Sequence, residues 1–467
     1  MKFLNDTTAF LLSAWNFFSS TEKALLLTAA AVIVSFAFSD FLSAILAGKG
    51  RRNIGSLKKG SKRRSEGILF GKNGRKIVYS PTAGEGHIAV VGGSGLGKTS
   101  ALLIPSLRSW NGTSLTIDIS GDICKNVNSL EKLVYTPADP NTVPYNVFSS
   151  VDMLSDRDAK NEVLARLAFL LMPPSPKADD ASAYFLNEGR KILIAALTAF
   201  YYQGMDFTEI CVKIVSSSWR ELFTEIDCTD CTEAIIYING FQGNNEKNTA
   251  GCKQACDAAV TLFATNENVK RSVRRPKAGE TEFNPHSLED RSIFVVIDDA
   301  KLKLYAPLLH VITAQTLEYL AERQVTKDSK TVLLALDEFV SLGHLEITEA
   351  LRKLRKKKVR IMILTQSISD LDMEYGRDER MSMLGNFKYI AILGANDSDT
   401  QEYFARLIGR HTVTNKSISV SSKSTTRTRS SGKDYIVEPS ELGRLGKDLI
   451  LIHDAGCIKL RKNFYFK

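Results

Sequence analysis

The stretch Gly92-Gly93-Ser94-Gly95-Leu96-Gly97-Lys98-Thr99 decides how this chain is read. It fits the spacing G-x-x-x-x-G-K-[ST], in which glycines let consecutive backbone N–H groups turn inward around a phosphate. His87-Ile88-Ala89-Val90-Val91 ahead of it reads as a buried strand, and Thr99 to Ile104 behind it opens as a helix. In that setting Lys98 is expected to reach the β- and γ-phosphates and Thr99 to ligate Mg²⁺, with the helix N-terminus adding partial positive charge.

A metal-assisted phosphate site needs further carboxylates at strand ends, and two pairs qualify. Asp337-Glu338 follows the apolar run Val332 to Leu336, and Asp298-Asp299 follows Ser292 to Ile297. The first pair suits the chemistry better. Asp337 can hold Mg²⁺ through water, while Glu338 polarises the attacking water as general base. Another strand, Val359 to Leu364, ends in Thr365-Gln366-Ser367, so Gln366 is expected at the γ-phosphate or the lytic water. Asp298-Asp299 has no such companion and reads as a strand-to-turn pair.

The 467 residues allow two domains and an appendage. At 44% hydrophobic and 24% charged the composition is globular and excludes a disordered chain. Further strands are expected at Ser114 to Asp118, Tyr389 to Leu393 and Leu449 to Ile452. Between them, helical spacing at Val163 to Leu171, Tyr184 to Tyr202, Phe207 to Ile226 and Thr249 to Thr265 points to an inserted all-α domain over 151–290. The ATPase domain then comprises 67–150 and 291–467. Residues 411–433 are rich in Ser and Thr, carry five Lys or Arg and no acid, and read as a mobile loop.

Charge and hydropathy set the ends apart. The net charge is +9, and its distribution says more than its sum: eight basic residues and no acid lie between Lys49 and Arg64. Ala24 to Ala47 is 24 residues with one charge, Asp40, and as a helix spans ~36 Å. The basic cluster that follows puts the body in the cytoplasm by the positive-inside rule. Residues 1–48 are therefore expected to be a membrane anchor, with 49–66 a basic juxtamembrane linker. The patch Ala9 to Phe18 is too short to span alone.

Seven cysteines in a cytoplasmic body are expected to be reduced. Cys228-x-x-Cys231 with Cys252 and Cys256 has loose zinc-like spacing, but the 20-residue gap between the pairs holds a full apolar segment, Ala234 to Ile238. Buried thiols without zinc are the expectation.

The combined motifs resemble the coupling-protein ATPases of type IV secretion and conjugative transfer, RecA-like hexameric motors. The resemblance is carried by His87 to Ser100, Asp118 to Asp122, Tyr145-Asn146, Leu336-Asp337-Glu338-Phe339 with Leu342-Gly343, Thr365-Gln366-Ser367, Pro439-x-Glu441-Leu442 and Phe464-Tyr465-Phe466. It implies an α/β fold, a RecA-like P-loop NTPase domain with the all-α insertion and an N-terminal transmembrane helix. Gly92 to Ser100 would bind ATP, Thr99 and Asp337 would hold Mg, and Glu338 and Gln366 would be catalytic. It also implies a homo-oligomer, hexameric, handing single-stranded DNA with its relaxase, or a protein, to secretion-channel components at the cytoplasmic membrane. Arg355 carries over as a finger acting on a neighbouring subunit. Two departures stand out. Asp118-Ile119-Ser120-Gly121-Asp122 lacks the family's lysine at position 120, and Arg355-Lys356-Lys357-Lys358 replaces Arg-Lys-Tyr-Gly. The alternatives are a septal double-strand DNA translocase and an ATP-binding membrane scaffold that moves nothing. Glu338 and Gln366 argue against the scaffold, and the helical insertion argues against the septal pump.

Overall fold

The computed structural model describes residues 54–62, 64–128, 131–174, 179–421 and 424–466. The chain divides into two compact units, Met1–Ile54 and Gly55–Lys467. The expected span at 24–47 lies outside the described residues. Among those described, no helix is long and apolar enough to cross a membrane.

The second unit is organised by one mixed sheet. Its strands are β1 (Lys58–Gly60), β2 (Ile68–Asn73), β3 (Lys76–Ser80), β4 (His87–Gly92), β5 (Thr113–Asp118), β6 (Lys132–Tyr135) and β7 (Ser292–Val296). They continue as β8 (Val332–Leu336), β9 (Val359–Thr365) and β10 (Phe387–Gly394). The hairpin strands β11 (Arg410–Ser421) and β12 (Ser424–Tyr435) form a separate sheet, and β13 (Asp448–His453) and β14 (Gly456–Arg461) return to the main one. The order is β1-β3-β2-β14-β13-β10-β4-β9-β8-β5-β7-β6. From β10 to β6 every pairing is parallel, whereas β13, β14, β2, β3 and β1 are added antiparallel.

Strands β4, β5, β8 and β9 are buried along their whole length, as a parallel sheet covered on both faces requires. In the sequence β4 and β8 show this as apolar runs, Ile88 to Val91 and Val332 to Leu336, whereas β5 carries Thr113, Ser114 and Thr116 and β9 carries Arg360. The chain leaves β4 for β5, whereas β9, the strand beside β4, leads to β10 on its other side. A crevice therefore opens beyond the carboxyl ends of β4 and β9, where ligands of open α/β sheets bind.

Between β6 and β7 the chain is helical, at Arg157–Leu171, Asp180–Tyr202, Phe207–Ser216, Trp219–Asp227, Thr232–Asn239, Glu246–Thr265 and Glu267–Ser272. The continuous helix expected over 207–226 is two helices. Ser218 breaks it by forming a capping box with Glu221, each side chain bonding the other residue's backbone N–H. At the neck of this segment Tyr145 donates its N–H to the Ser272 carbonyl, and its own carbonyl accepts from Arg274. Arg275 grips Asp152 through two bonds of 3.1 Å.

Residues 411–433, expected as a loop, pair instead as the β11–β12 ladder, in continuous register from Arg410↔Tyr435 to Ser421↔Ser424. The expected basic linker contains β1, which pairs with β3.

His87, at the start of β4, is 1% exposed. Its Nδ1 accepts from the Ile361 N–H at 3.0 Å, so Nε2 carries the proton and donates to the Leu351 carbonyl at 2.9 Å. Burial, aided by the nearby charges of Arg360 and Arg355, lowers its pKa from 6.5 to about 4. Because the folded value is depressed, the neutral imidazole favours the fold fully above pH 6.5, and that contribution fades as pH falls toward 4. The loss amounts to about 3 kcal/mol. In denaturant titrations between pH 7.5 and pH 4, His87→Ala is expected to lose this acid dependence. At pH 7.5 it should be less stable by ~2–4 kcal/mol, since a buried N–H and a buried carbonyl are left unpaired.

Candidate nucleotide site

The loop leaves β4 at Gly92 and enters a helix at Lys98, whose first turn is wide (Lys98–Leu103) before it tightens over Ile104–Arg108. Gly95 and Gly97 adopt φ of 73° and 93°, the left-handed region that glycine occupies without strain. Leu96 N–H bonds back to the Gly93 carbonyl, and Ala101 N–H bonds the Gly97 carbonyl. The loop is thereby closed on itself, and the helix begins directly behind it.

Three strand ends converge on the loop. From β4 comes Lys98, 6% exposed, whose Nζ donates to the Gly92 carbonyl at 2.8 Å and lies 3.9 Å from Glu338 Oε1. From β8 come Asp337 and Glu338. The Thr99 hydroxyl donates to Asp337 Oδ2 at 3.5 Å. From β9 comes Gln366, whose Nε2 donates to Glu338 Oε2 at 3.2 Å. Glu338 stands at φ 45°, a left-handed conformation that a side-chain-bearing residue adopts only at a cost. Burial, with Glu338 adjacent, pushes the Asp337 pKa up to about 7.

Asp118, at the end of β5, is fully buried, and burial raises its pKa. It caps the helix Asp122–Asn126, with Oδ1 accepting from Gly121 N–H at 2.9 Å and Oδ2 from Cys124 N–H at 2.7 Å. The sequence assigns no role to Lys125, yet this lysine on that short helix lines the same cleft as Ser94, Glu338 and Gln366, a space of about 840 Å³. A lysine ammonium thus borders the cleft although position 120 is serine. Its displacement along the chain hid it from motif matching. Asp298 and Asp299 line the cleft as well, and Asp298 Oδ1 caps the next turn through Ala300 N–H at 3.0 Å.

Arg355 is not brought to this cluster within its own chain. It lies on the turn Leu354–Lys357 that leads into β9, exposed, with Nε 3.9 Å from Glu85 Oε2. The loop lies at the carboxyl end of the neighbouring strand, and the length of β9, ~20 Å, separates the two edges.

The four cysteines of the loose zinc-like pattern are scattered in role. Cys228 is exposed, while Cys231, Cys252 and Cys256 are buried. Burial drives the Cys256 thiol far above the ordinary range. Among the described residues no group of three or more His, Cys, Asp or Glu side chains is arranged around a metal position.

Known proteins resemble the chain over most of its length. The chain is 24% identical over 434 residues to protein VirD4 of Rhizobium rhizogenes, a match that covers 86% of this chain and 62% of the relative. With a probable conjugal transfer protein TraG of Sinorhizobium fredii it shares 23% over 460 residues, covering 91% and 69%. The chain thus spans about three fifths of the length of the VirD4 relative. Among solved structures, the plasmid coupling protein TrwB in complex with ADP and Mg²⁺ superposes with a TM-score of 0.64 at 20% identity, over 81% of this chain and 85% of TrwB. That likeness establishes the α/β P-loop NTPase fold. A family model for type IV secretory system conjugative DNA transfer matches residues 36–467, and the chain belongs to that family of conjugative coupling proteins.

Proposed function

We propose that this protein is a membrane-anchored ATPase that couples a DNA–relaxase or protein substrate to a type IV secretion channel and drives its transfer by ATP hydrolysis. The observation that carries the proposal is the meeting of Lys98, Thr99, Asp337, Glu338 and Gln366 at the ends of β4, β8 and β9. The residues present fit MgATP. Lys98 needs only to leave the Gly92 carbonyl to meet phosphate oxygens, and Thr99 with Asp337 offers a hydroxyl and a buried carboxylate side by side.

Magnesium held by Thr99 and Asp337 would supply charge neutralisation to the phosphates. Every other role belongs to the chain. Loop N–H groups from Gly93 to Thr99, with Ser100 behind them, cradle the phosphates. Lys98 holds the terminal groups. Glu338 takes a proton from the attacking water while Gln366 orients that water and the carboxylate together. Arg355 acts on the site of an adjoining protomer in a homo-oligomer, which we take to be a hexamer. TrwB has been solved with ADP and Mg²⁺ and with a non-hydrolysable ATP analogue, which supports nucleotide and Mg as the ligands here. Residues 1–48 supply the anchor, and the helices over 151–290 meet the substrate.

Substitutions separate these roles in nucleotide-binding and phosphate-release assays. Lys98→Ala is expected to lose affinity and turnover together, because the lysine meets phosphate in both ground and transition states. Glu338→Gln should bind ATP and lower the rate by ~10²-fold or more. Asp299→Asn should change little, and loss of hydrolysis there with Glu338→Gln intact would move the catalytic carboxylate to the end of β7. Arg355→Ala should bind ATP normally and lose ~10³-fold in rate. Mixing it with Lys98→Ala should restore activity, each protomer supplying what the other lacks. Absence of rescue at confirmed co-assembly would remove the trans role.

Fractionation tests the anchor. The full chain is expected in the membrane pellet, released by detergent, and a version beginning at residue 49 in the supernatant with weak ATPase activity. Full-length protein in the supernatant without detergent would overturn the anchor.

A further inference from the structure

The helix Arg157–Leu171, early in the helical segment, and the helix Leu302–Glu322, behind β7, border a groove that the nucleotide site does not use. Two clefts make it up, of about 810 and 650 Å³, joined where Arg166, Leu170 and Glu318 line both. The lining follows the first helix from Ala159 to Leu170 and the second from His310 to Glu322. That is ~18 Å of helix, room for three turns of another. Large apolar residues stand exposed along it: Met153 at 53%, Phe169 at 48% and Met373 at 78%. Exposed apolar surface gathered in one groove marks a place where a partner packs.

The charge of the groove is one-sided. Eight glutamates line the two clefts, against two arginines and no lysine. Both arginines are already engaged, Arg323 by Glu289 at 2.6 Å and Arg166 by Glu322 at 2.8 Å. The second pair is exposed and so weakly held. Glu318, half-buried at the junction of the clefts, has no ion pair among the described residues, and burial raises its pKa. An apolar groove rimmed by carboxylates suits a helix whose apolar face is flanked by lysine or arginine. A small organic cation would fill one cleft and leave the apolar wall of the other in water.

One wall of the larger cleft continues the segment that begins at Glu338. His344, Leu345 and Glu346 follow the turn Phe339–Leu342 directly. Tyr375 fastens that segment: its hydroxyl accepts from Leu345 N–H at 3.3 Å and donates to the Gly343 carbonyl at 3.3 Å. Its ring stacks on Phe339 at 5.4 Å and packs against His344 at 4.9 Å. Glu338 stands at φ 45°, so its placement depends on what packs behind it. From this arrangement we infer that the groove between Arg157–Leu171 and Leu302–Glu322 receives an amphipathic helix with basic flanks from a partner protein, and that Tyr375 relays its seating to Glu338. Tyr375 is a positioning residue here, and its part rests on the hydrolytic reading above.

The test offers the full chain, in detergent, a synthetic amphipathic helix of leucine and lysine carrying a benzophenone. Cross-links read by mass spectrometry are expected at Met153, Phe169 or Met373. Bound peptide should brace the segment behind Glu338 and raise phosphate release roughly five-fold or more, the lower end of ordinary coupling between sites. A leucine–glutamate counterpart should bind about ten-fold more weakly or worse. Met373→Asp and Glu374→Lys, both at the rim, should weaken the lysine peptide by about ten-fold and leave MgATP binding unchanged. Tyr375→Phe keeps the ring without the hydroxyl; it should bind the peptide within about two-fold and lose the rise in rate. Equal affinity for the two peptides, or cross-links confined to other surfaces, overturns the docking site. Full occupancy without a rise in rate, or a rise that survives Tyr375→Phe, overturns the relay. With Met373→benzoylphenylalanine, chain-to-chain cross-links in the absence of peptide would make the groove a contact between copies. Displacement of the peptide by spermine would make it a polyamine site, and either result overturns the helix. A chain that binds the peptide but hydrolyses no ATP would instead overturn the hydrolytic reading and leave the docking site standing.

Discussion

The contact between Thr99 and Asp337 joins two strand ends 238 residues apart, and the site depends on it. A hydroxyl at the start of one helix and a carboxyl at the tip of β8 come together only because β9 lies between β4 and β8 in the sheet. Those three strands are buried along their lengths, and polar residues follow at their carboxyl ends. Packing sets their order, and the order then delivers Lys98, Thr99, Asp337, Glu338 and Gln366 to one place. Desolvation does the rest. The burial that lifts Asp337 to about 7 also strengthens whatever positive charge is placed beside it.

What could be read in advance follows from the same physics. Strands β7 and β8 announce themselves as apolar runs, Ile293 to Val296 and Val332 to Leu336, while β5, β9 and β10 remain recognisable despite Thr116, Arg360 and Lys388. β1, β2, β3 and β14 do not, because they are short, mixed in character and recruited to the antiparallel flank by pairing. The β11–β12 ribbon was hidden for a related reason. The stretch is rich in threonine and serine with scattered lysine and arginine, a composition that signals solvent exposure whether or not the backbone pairs. Ser218 was legible in principle, since Ser218-x-x-Glu221 is a capping box, but the apolar periodicity on both sides masked the break.

The site was legible to differing depths. The glycine spacing fixed the loop, and the carboxylates followed from strand ends. Lys125 was missed because the resemblance directs attention to position 120, where serine stands. Phe464 was noted only as part of a motif. Its ring lies 3.0 Å from where a β-carbon on Gly97 would stand, a closeness that sequence distance conceals. Tyr145 shows the reverse case: a residue marked by resemblance alone proves to lie at the neck of the helical segment. There its hydroxyl donates to Gln315 while its backbone is bonded by the segment's returning strand of chain.

His87 has one more consequence. Its imidazole ties the carbonyl of Leu351, on the helix Ile347–Lys353, to the amide of Ile361 in β9, and Arg355 lies on the turn between these two anchors. The arginine-bearing turn is therefore fastened to the near end of the strand whose far end forms the phosphate loop. A strand buried on both faces behaves as a stiff rod, since close-packed interiors shift as units rather than bending. Force applied to the turn from outside is borne by β4 along its axis, so the two edges of the sheet are in mechanical register with each other.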